Sequence, residues 1–201
     1  MRPKQIVYTL AALSATGHAT GLTGTGPFTT FTAAGTGDDT GHQTTLTSAA
    51  NLSGITMVIV GTDAQGNVQT ESIAGPNANT INLVKYYKTF TRITASATLG
   101  ANTMNVGWTA LVQTPIIPCD FAKLTGPMVI VGVGGTITFT AQQTNTDVFN
   151  AALTPTWATL GTAAATATAT TQALSGTTGV RVTVASHTSG VLALSVSQAR
   201  S

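Results

Sequence analysis

The sequence predicts an all-β protein built from two tandem β-sandwich or jelly-roll-like domains. Short runs in which apolar and polar residues alternate recur along the 201-residue chain, as expected for strands that bury one face. No capped amphipathic helix of about 10 or more residues is visible. Gly and Thr, which are poor helix formers, separate the runs, so the intervening segments favour turns and extended chain.

The best-defined element is a β-hairpin. Residues 55–60 alternate in side-chain character, Asp63 and Gly66 stand at the first and fourth positions of a type I turn, and residues 68–73 return. A G1-bulge hairpin needs a left-handed residue just after such a turn. The sequence therefore predicts a positive φ at Gly66.

The other strands of the first half follow from the same alternation. They are predicted at residues 6–10, 28–31, 44–46, 81–94 and 104–108. The run at 6–10 follows basic residues and superficially suggests a signal peptide. Polar residues interrupt it, however, and it is too short for a membrane span. We therefore interpret it as a first strand, and residues 1–115 as an N-terminal β domain.

A connector and a second domain are predicted for the rest of the chain. Pro118 and Pro127 favour an ordered, extended connector at residues 116–127, because Pro fixes φ and removes a hydrogen-bond donor. Residues 128–201 then form a C-terminal β domain with strands predicted at 128–133, 136–140, 163–171, 180–184 and 191–196.

Two turns and one low-complexity segment characterise this second domain. Gly134 and Gly135 predict a hairpin turn, and residues 186–190 predict another. Ala and Thr alternate over residues 163–171, which indicates an extended strand with one face of small side chains. That strand is interpreted either as an ordinary edge strand or as a subunit contact.

One group of residues invites a metal hypothesis. Asp38, Asp39 and His42 supply two carboxylates and an imidazole within five positions of a Gly- and Thr-rich segment. A calcium loop needs about six oxygen ligands at regular spacing, and a zinc site needs more His or Cys. The sequence therefore favours a solvated turn over a metal site.

No motif for catalysis is present. The sequence lacks a nucleophile elbow, a zinc-protease pair, a P-loop and a dinucleotide-binding glycine pattern. His18, His42 and His187 are each flanked by small or polar residues and are expected in loops. Trp108 and Trp157 are interpreted as core anchors. We predict a protein that is not an enzyme and has no catalytic, cofactor-binding or metal-binding residues.

The composition favours a protein that functions as part of an assembly. Charged residues make up 7% of the chain, the net charge is +2 and the mean hydropathy is +0.27. Such weak charge gives little colloidal repulsion and no electrostatic footprint for nucleic acid. The single cysteine, Cys119, excludes an intrachain disulfide and is expected to be a small buried hydrophobe. Neither a nucleic-acid partner nor a membrane partner is expected.

Two stretches resemble structural proteins of tailed-bacteriophage particles. The first is GTDAQGNVQTESIAGPNANT at residues 61–80, followed by KYYKTFTRITAS at 85–96. The second is TITFTAQQTNTDVFNAALTPTW at 136–157, with VRVTVASHTSGVLALSVSQA at 180–199. The pattern is similar to virion proteins as a class and is not specific to one position in the particle.

The resemblance implies a non-enzymatic virion protein without cofactors, assembled in the host bacterial cytoplasm. Its leading form is a capsid decoration or cement protein that contacts the major capsid protein and associates with itself as a homotrimer. Two alternatives stay open. One is a tail-fibre, spike-base or head–tail junction component, and the other is a carbohydrate-binding or adhesive module.

Overall fold

A computed structural model describes residues 4–120, 122, 125–150, 152–161 and 164–198. These residues form strands and no helix, which confirms the predicted all-β class. In this part of the chain, no helix has the length and apolar character of a membrane span. The strands are β1 (Lys4–Thr9), β2 (Ser14–Leu22), β3 (Gly41–Thr47), β4 (Thr56–Thr62), β5 (Val68–Ala74), β6 (Thr80–Tyr87), β7 (Thr89–Ala95), β8 (Met104–Gln113), β9 (Ile117–Pro118), β10 (Met128–Thr144), β11 (Ala158–Thr159), β12 (Ala169–Gln172) and β13 (Gly179–Ser197).

The chain divides into two compact units. The sandwich unit comprises Ala11–Val112, and the long-strand unit comprises Met1–Leu10 together with Gln113–Ser201. These units differ from the predicted domains at two places, because strand pairing overrides proximity in sequence. β1 pairs with β13 along its whole length, so the start of the predicted domain 1–115 lies in the long-strand unit. β9, inside the predicted connector 116–127, also pairs with β13.

The sandwich unit contains two sheets that share one hydrophobic core. The strand order is β2-β8-β3-β6 in one sheet and β5-β4-β7 in the other. Alternate side chains from both sheets are fully buried, and they include Leu46, Met57, Leu83, Ile93 and Val106. This is a β-sandwich-like arrangement. The finer expectation of two tandem sandwiches stays a prediction.

The predicted strand at residues 81–94 is two strands in different sheets. β6 pairs with β3, whereas β7 pairs with β4, and Lys88 lies between them. Tyr87 and Phe90, on either side of this crossover, are both buried in the core with ring centroids 4.9 Å apart. The residue pattern does not reveal the crossover, because both halves have the β-branched and aromatic composition of a strand.

The β4–β5 hairpin has the predicted turn. The Gly66 N–H donates to the Asp63 carbonyl at 3.0 Å, and the Asp63 N–H donates to the Asn67 carbonyl at 2.9 Å. The Asp63 carboxylate also accepts from the backbone N–H groups of Gln65 and Asn67, each at 2.9 Å. Gly66 has a φ of 90°, which confirms the predicted left-handed residue.

The long-strand unit is organised by one continuous antiparallel pair. β10 and β13 are hydrogen-bonded from Met128 opposite Ser197 to Thr144 opposite Gly179. β12 and β11 pair with the other edge of β10, and β1 and β9 pair with the other edge of β13. Alternate residues of β13 are buried, as predicted from Val180, Val182 and Val184.

Both turns predicted for this half are wrong. Gly135 lies directly opposite Gly190 within the continuous β10–β13 ladder. Both glycines have positive φ, and a side chain on Gly190 would overlap the carbonyl oxygen of Gly134. Gly135 and Gly190 therefore allow the backbones of β10 and β13 to approach closely where these strands bend. Two bulges follow, each with one extra residue on β13.

The Ala- and Thr-rich segment is extended over only part of its length. β12 covers Ala169–Gln172, and an isolated bridge joins Ala165 to Phe139. The start of the predicted strand, at residue 163, lies outside the described residues. Short pairings along β10 therefore replace the single strand expected from composition.

Replacement of Gly66 by Val is expected to destabilise the protein. A β-branched residue at a φ of 90° is strained, and we expect the free energy of unfolding to fall by about 1–2 kcal/mol. Chemical denaturation measures the change. Gly54→Val is the control, because Gly54 has no left-handed φ and no atom within 4 Å of an added Cβ. Equal stability of the two variants would contradict this assignment.

Candidate functional site

Three ionisable side chains of the sandwich unit, His18, Asp38 and His42, are buried in one region, and we call them the histidine cluster. His18 lies on β2, Asp38 precedes β3, and His42 is the second residue of β3. All three are inaccessible or nearly so. The expectation that His18, His42 and His187 lie in loops is wrong, because each belongs to a strand and is buried.

Asp38 organises the cluster by accepting hydrogen bonds. Its Oδ1 accepts from the Thr36 and Thr40 hydroxyls, each at 2.8 Å, and from the Thr40 N–H at 3.1 Å. Its Oδ2 accepts from the Ala11 N–H at 2.9 Å and lies 2.7 Å from the His42 Nε2. A buried carboxylate is stable only when its oxygens have such partners.

The electrostatics of Asp38 reflect two opposing effects. Burial by itself raises the pKa of this carboxyl. The hydrogen bond and charge of His42, with hydrogen bonds from Ala11 and Thr36, outweigh burial and hold the pKa well below its usual range. Asp38 is therefore ionised at neutral pH.

His42 is held at both ring nitrogens. Nε2 faces the Asp38 carboxylate at 2.7 Å, and Nδ1 lies 3.2 Å from the Thr109 carbonyl oxygen. Both partners are acceptors, so the imidazolium, which has two N–H donors, satisfies this geometry. Asp38 and His42 thus form a buried ion pair.

His18 is buried among aromatic rings. Its ring centroid lies 4.6 Å from those of Phe90 and Trp108, and its Nδ1 lies 2.8 Å from the Ala33 carbonyl oxygen. Burial, aided by the nearby charge of His42, lowers the pKa of His18 to about 4, although the Ala33 bond opposes the shift. His18 is therefore a neutral, core histidine at neutral pH.

The structure separates the adjacent aspartates. Asp39 is 81% exposed and forms a 2.9 Å ion pair with Lys88, so the solvated-turn interpretation is correct for Asp39. That interpretation is wrong for Asp38 and His42, which are buried. Within the described residues, no three His, Cys, Asp or Glu side chains are grouped so as to hold a metal ion.

The histidine cluster is arranged to stabilise rather than to react. A general base needs a free lone pair within reach of a substrate. The His42 nitrogens both face acceptors, the Asp38 oxygens are occupied by donors, and both side chains are shielded from solvent. We interpret the pair as a polar brace that joins the loop before β3 to β3 and β8.

Sequence reasoning missed the aromatic environment of this cluster. Trp108 is half-buried, donates its Nε1–H to the Ala12 carbonyl at 2.8 Å, and covers Gly17, where a side chain would overlap the indole ring. Trp157 is also half-buried and lies 3.9 Å beneath the Arg181 guanidinium. Both tryptophans are only partly the core anchors that were predicted.

The long-strand unit has two open clefts of about 390 and 380 Å³. Gln143, Thr144, Asn145, Thr146, Thr156, Ala158 and Leu174 line the first. Cys119, Asn145, Asp147, Phe149 and Thr178 line the second. Two lining residues of the first cleft already bond to each other, because the side-chain Oε1 of Gln143 accepts from the Leu174 N–H at 2.8 Å. The same oxygen accepts from the Thr177 hydroxyl at 3.2 Å. The Gln143 side-chain oxygen is therefore already engaged within the protein.

Cys119 is buried, as predicted. Burial raises the pKa of its thiol to about 11, and its Sγ lies 3.6 Å from the Ile117 carbonyl oxygen. A thiol with so high a pKa is a poor nucleophile at neutral pH.

Comparisons with protein-family models, curated proteins and solved structures found no match to this chain. Its function is therefore inferred from its residues and their geometry.

Loss of the Asp38 charge is expected to destabilise the sandwich unit strongly. Asp38→Asn leaves the His42 cation buried without its counter-ion, which costs on the order of 3–5 kcal/mol. Asp39→Asn is the matched control, because its exposed ion pair contributes only about 0–1 kcal/mol. Urea denaturation of both variants measures the difference. Similar midpoints would contradict a buried ion pair.

His18 is expected to make the protein sensitive to acid. Its pKa is about 4 in the folded state against 6.5 ordinarily, so the unfolded chain binds the proton first. Stability is therefore complete above pH 6.5 and falls by on the order of 3 kcal/mol as the pH drops towards 4.

The variant His18→Asn isolates this effect, because Asn retains a donor for the Ala33 carbonyl and does not titrate. We expect a flatter dependence of the unfolding free energy on pH between 6.5 and 4. The contribution of Asp38 is lost only at lower pH, since its pKa is lowered from 3.8. An unchanged slope in the variant would show that His18 is not the titrating group.

Proposed function

We propose that this chain is a non-enzymatic structural protein of a tailed-bacteriophage particle. Its proposed role is that of a capsid decoration or cement protein, which stabilises the head through contacts with the major capsid protein and with copies of itself. A homotrimer is the proposed oligomer. The proposed location is the virion, after assembly in the host cytoplasm.

An uncharged, exposed sheet face is the observation that carries this proposal. In the long-strand unit, Val7 and Gly132 flank Ala193 across three paired strands, and Ile130 lies beside Ser195 in the next row. Val7 and Ile130 are exposed, and none of these residues is charged. Apolar surface of this kind favours contact with another protein.

The long-strand unit also exposes apolar side chains elsewhere, including Phe149 and Leu174 at the two clefts. Phe149 is 78% exposed, and Leu153 and Leu174 are also exposed. A protein with 7% charged residues has few other means of attaching to a partner than apolar contact and hydrogen bonds.

The sequence resemblance connects this surface to the virion. Residues 61–80 and 85–96, which carry the first part of the resemblance, form the β4–β5 turn, β5, half of β6 and all of β7. They contribute Tyr87, Phe90 and Ile93 to the core of the sandwich unit. The resemblance thus covers residues on which a rigid fold depends, a property that suits a particle component.

A tail-fibre, spike-base or head–tail junction component is the alternative within the virion. Copy number separates the two roles: hundreds of copies per particle indicate decoration, and about a dozen indicate the tail. A carbohydrate-binding module is less well supported, because the Arg181 guanidinium already covers one face of Trp157. A glycan array tests that function directly.

Attachment to capsids is expected to resist salt. Exposed ion pairs contribute about 0–1 kcal/mol each, and the Debye length falls to about 3 Å near molar salt, so charged contacts weaken while apolar contacts persist. Pelleting of particles across a salt series, with quantification of the bound 20.3 kDa band, measures occupancy. A steep loss of the band with salt would show that cations such as Lys4, Arg92 and Arg181 carry the attachment.

A further inference from the structure

The sandwich unit brings two strand edges together at one side. β6 is the last strand of one sheet, and β5 is the last strand of the other. No backbone ladder joins them among the described pairings. A free edge presents unpaired N–H and C=O groups that can accept a strand from another chain.

β6 is irregular at this edge. Gln43 of β3 pairs with Tyr86 and Thr45 pairs with Asn82, so one residue of β3 lies opposite three residues of β6. β6 therefore carries two extra residues, and this bulge contains Val84 and Lys85. Bulges of this kind turn backbone groups away from the regular ladder.

Side-chain hydrogen bonds join β5 to the irregular part of β6. The Glu71 carboxylate accepts from the Val84 N–H at 2.7 Å and from the Lys85 N–H at 3.0 Å. The Gln69 Nε2–H donates to the Tyr86 carbonyl at 2.6 Å, and the Lys85 ammonium donates to the Thr70 carbonyl at 2.7 Å. We call Gln69, Glu71 and Lys85 the edge clasp.

The carboxylate is well matched to its position. Successive backbone N–H groups that point to one place form an anion-binding concavity, and a charged acceptor strengthens each hydrogen bond. The charge of Glu71 also acts on the core, where burial and then this carboxylate raise the pKa of Tyr87. Glu71 thus closes the edge without a further strand.

The opposite side of the sandwich unit is closed by backbone. The Phe28 N–H donates to the Ile93 carbonyl of β7 at 2.8 Å, and the Thr32 N–H donates to the His18 carbonyl of β2 at 2.8 Å. One chain segment therefore covers the outer edges of both β7 and β2. The edge clasp covers the edge of β6 with side-chain hydrogen bonds, whereas this segment covers the edges of β7 and β2 with main-chain hydrogen bonds.

We propose that the edge clasp is a guard that prevents β6 from adding a strand of a second copy of this chain. Val84, which lies in the bulge and is 79% exposed, would otherwise offer an apolar side chain together with free N–H groups. The guard confines self-association to other surfaces. This inference is independent of the virion proposal, since it rests on the edge geometry alone.

The test removes the guard and measures association. Glu71→Ala frees both N–H groups, and sedimentation velocity over a concentration series follows the oligomeric state. We expect an oligomer that the wild-type protein does not form at the same concentration. In dilute solution, where the variant is still monomeric, exchange of the Val84 and Lys85 amide protons, followed by NMR, is expected to accelerate by about tenfold or more. Asp39→Ala controls for the loss of one exposed carboxylate.

A second substitution locates the association. Glu71→Ala combined with Val84→Lys is expected to return to the wild-type mass, because a charged side chain at an edge opposes strand pairing. In a Glu71→Ala background, Val84→Cys is expected to form a disulfide between copies when dissolved oxygen or another added oxidant accepts the two electrons. The native Cys119 does not interfere, since it is buried and its thiol pKa is about 11.

If Glu71→Ala does not fold, two milder substitutions test the same proposal. Glu71→Gln keeps one oxygen for one of the two N–H groups and is expected to associate to a smaller extent. Gln69→Ala removes only the hydrogen bond from Gln69 to the Tyr86 carbonyl. The guard is refuted if the folded variants keep the wild-type oligomeric state despite faster amide exchange. Association that persists with Val84→Lys refutes it equally, because another surface would then be responsible.

Discussion

Hydrogen bonding at strand edges is the constraint on which this structure depends. A protein without helices must satisfy its backbone groups between strands, and every sheet that does not close leaves two edges. In the sandwich unit, the segment that contains Phe28 and Thr32 covers one pair of edges with main-chain bonds. At the other side, Gln69, Glu71 and Lys85 occupy the edge groups with side chains. Two of the few charged residues, Glu71 and Lys85, therefore have structural roles at this edge.

The buried ion pair of Asp38 and His42 is a second case in which charged side chains hold a part of the chain that has no strand partner. Residues 36–40, which directly precede β3, take part in no described strand pairing, and this stretch contains glycine, threonine and aspartate but no large apolar residue. A carboxylate that gathers donors from Ala11, Thr36, Thr40 and His42 supplies the missing cohesion. Such a cluster couples the stability of the fold to acid, because a neutral His18 is buried beside a charged His42.

These features bear on assembly. A chain with weak charge and exposed apolar side chains has a general tendency to associate, so its productive and unproductive contacts must be distinguished by shape and edge chemistry. The exposed face around Val7 and Ile130 presents side chains, whereas the β6 edge presents backbone. Side-chain surfaces can be specific for a partner, but open backbone edges accept almost any strand. A protein with one closed strand edge and one exposed apolar face suits the proposed role at a defined place in a particle.

Local chemistry was sufficient for the fold class and for the β4–β5 turn. Alternating residues predict strands, and the left-handed Gly66 follows from the Asp63 turn, because both depend on neighbours within a few positions. Sequence alone placed Gly134, Gly135 and Gly190 in turns, since glycine marks both turns and close approaches. Only the tertiary structure decided between these, through the β10–β13 ladder. It also paired β1 with β13, divided residues 81–94 between two sheets, and brought Glu71 to the bulge of β6. These outcomes depend on contacts between residues far apart in the chain, and no local pattern records which distant strand supplies the partner.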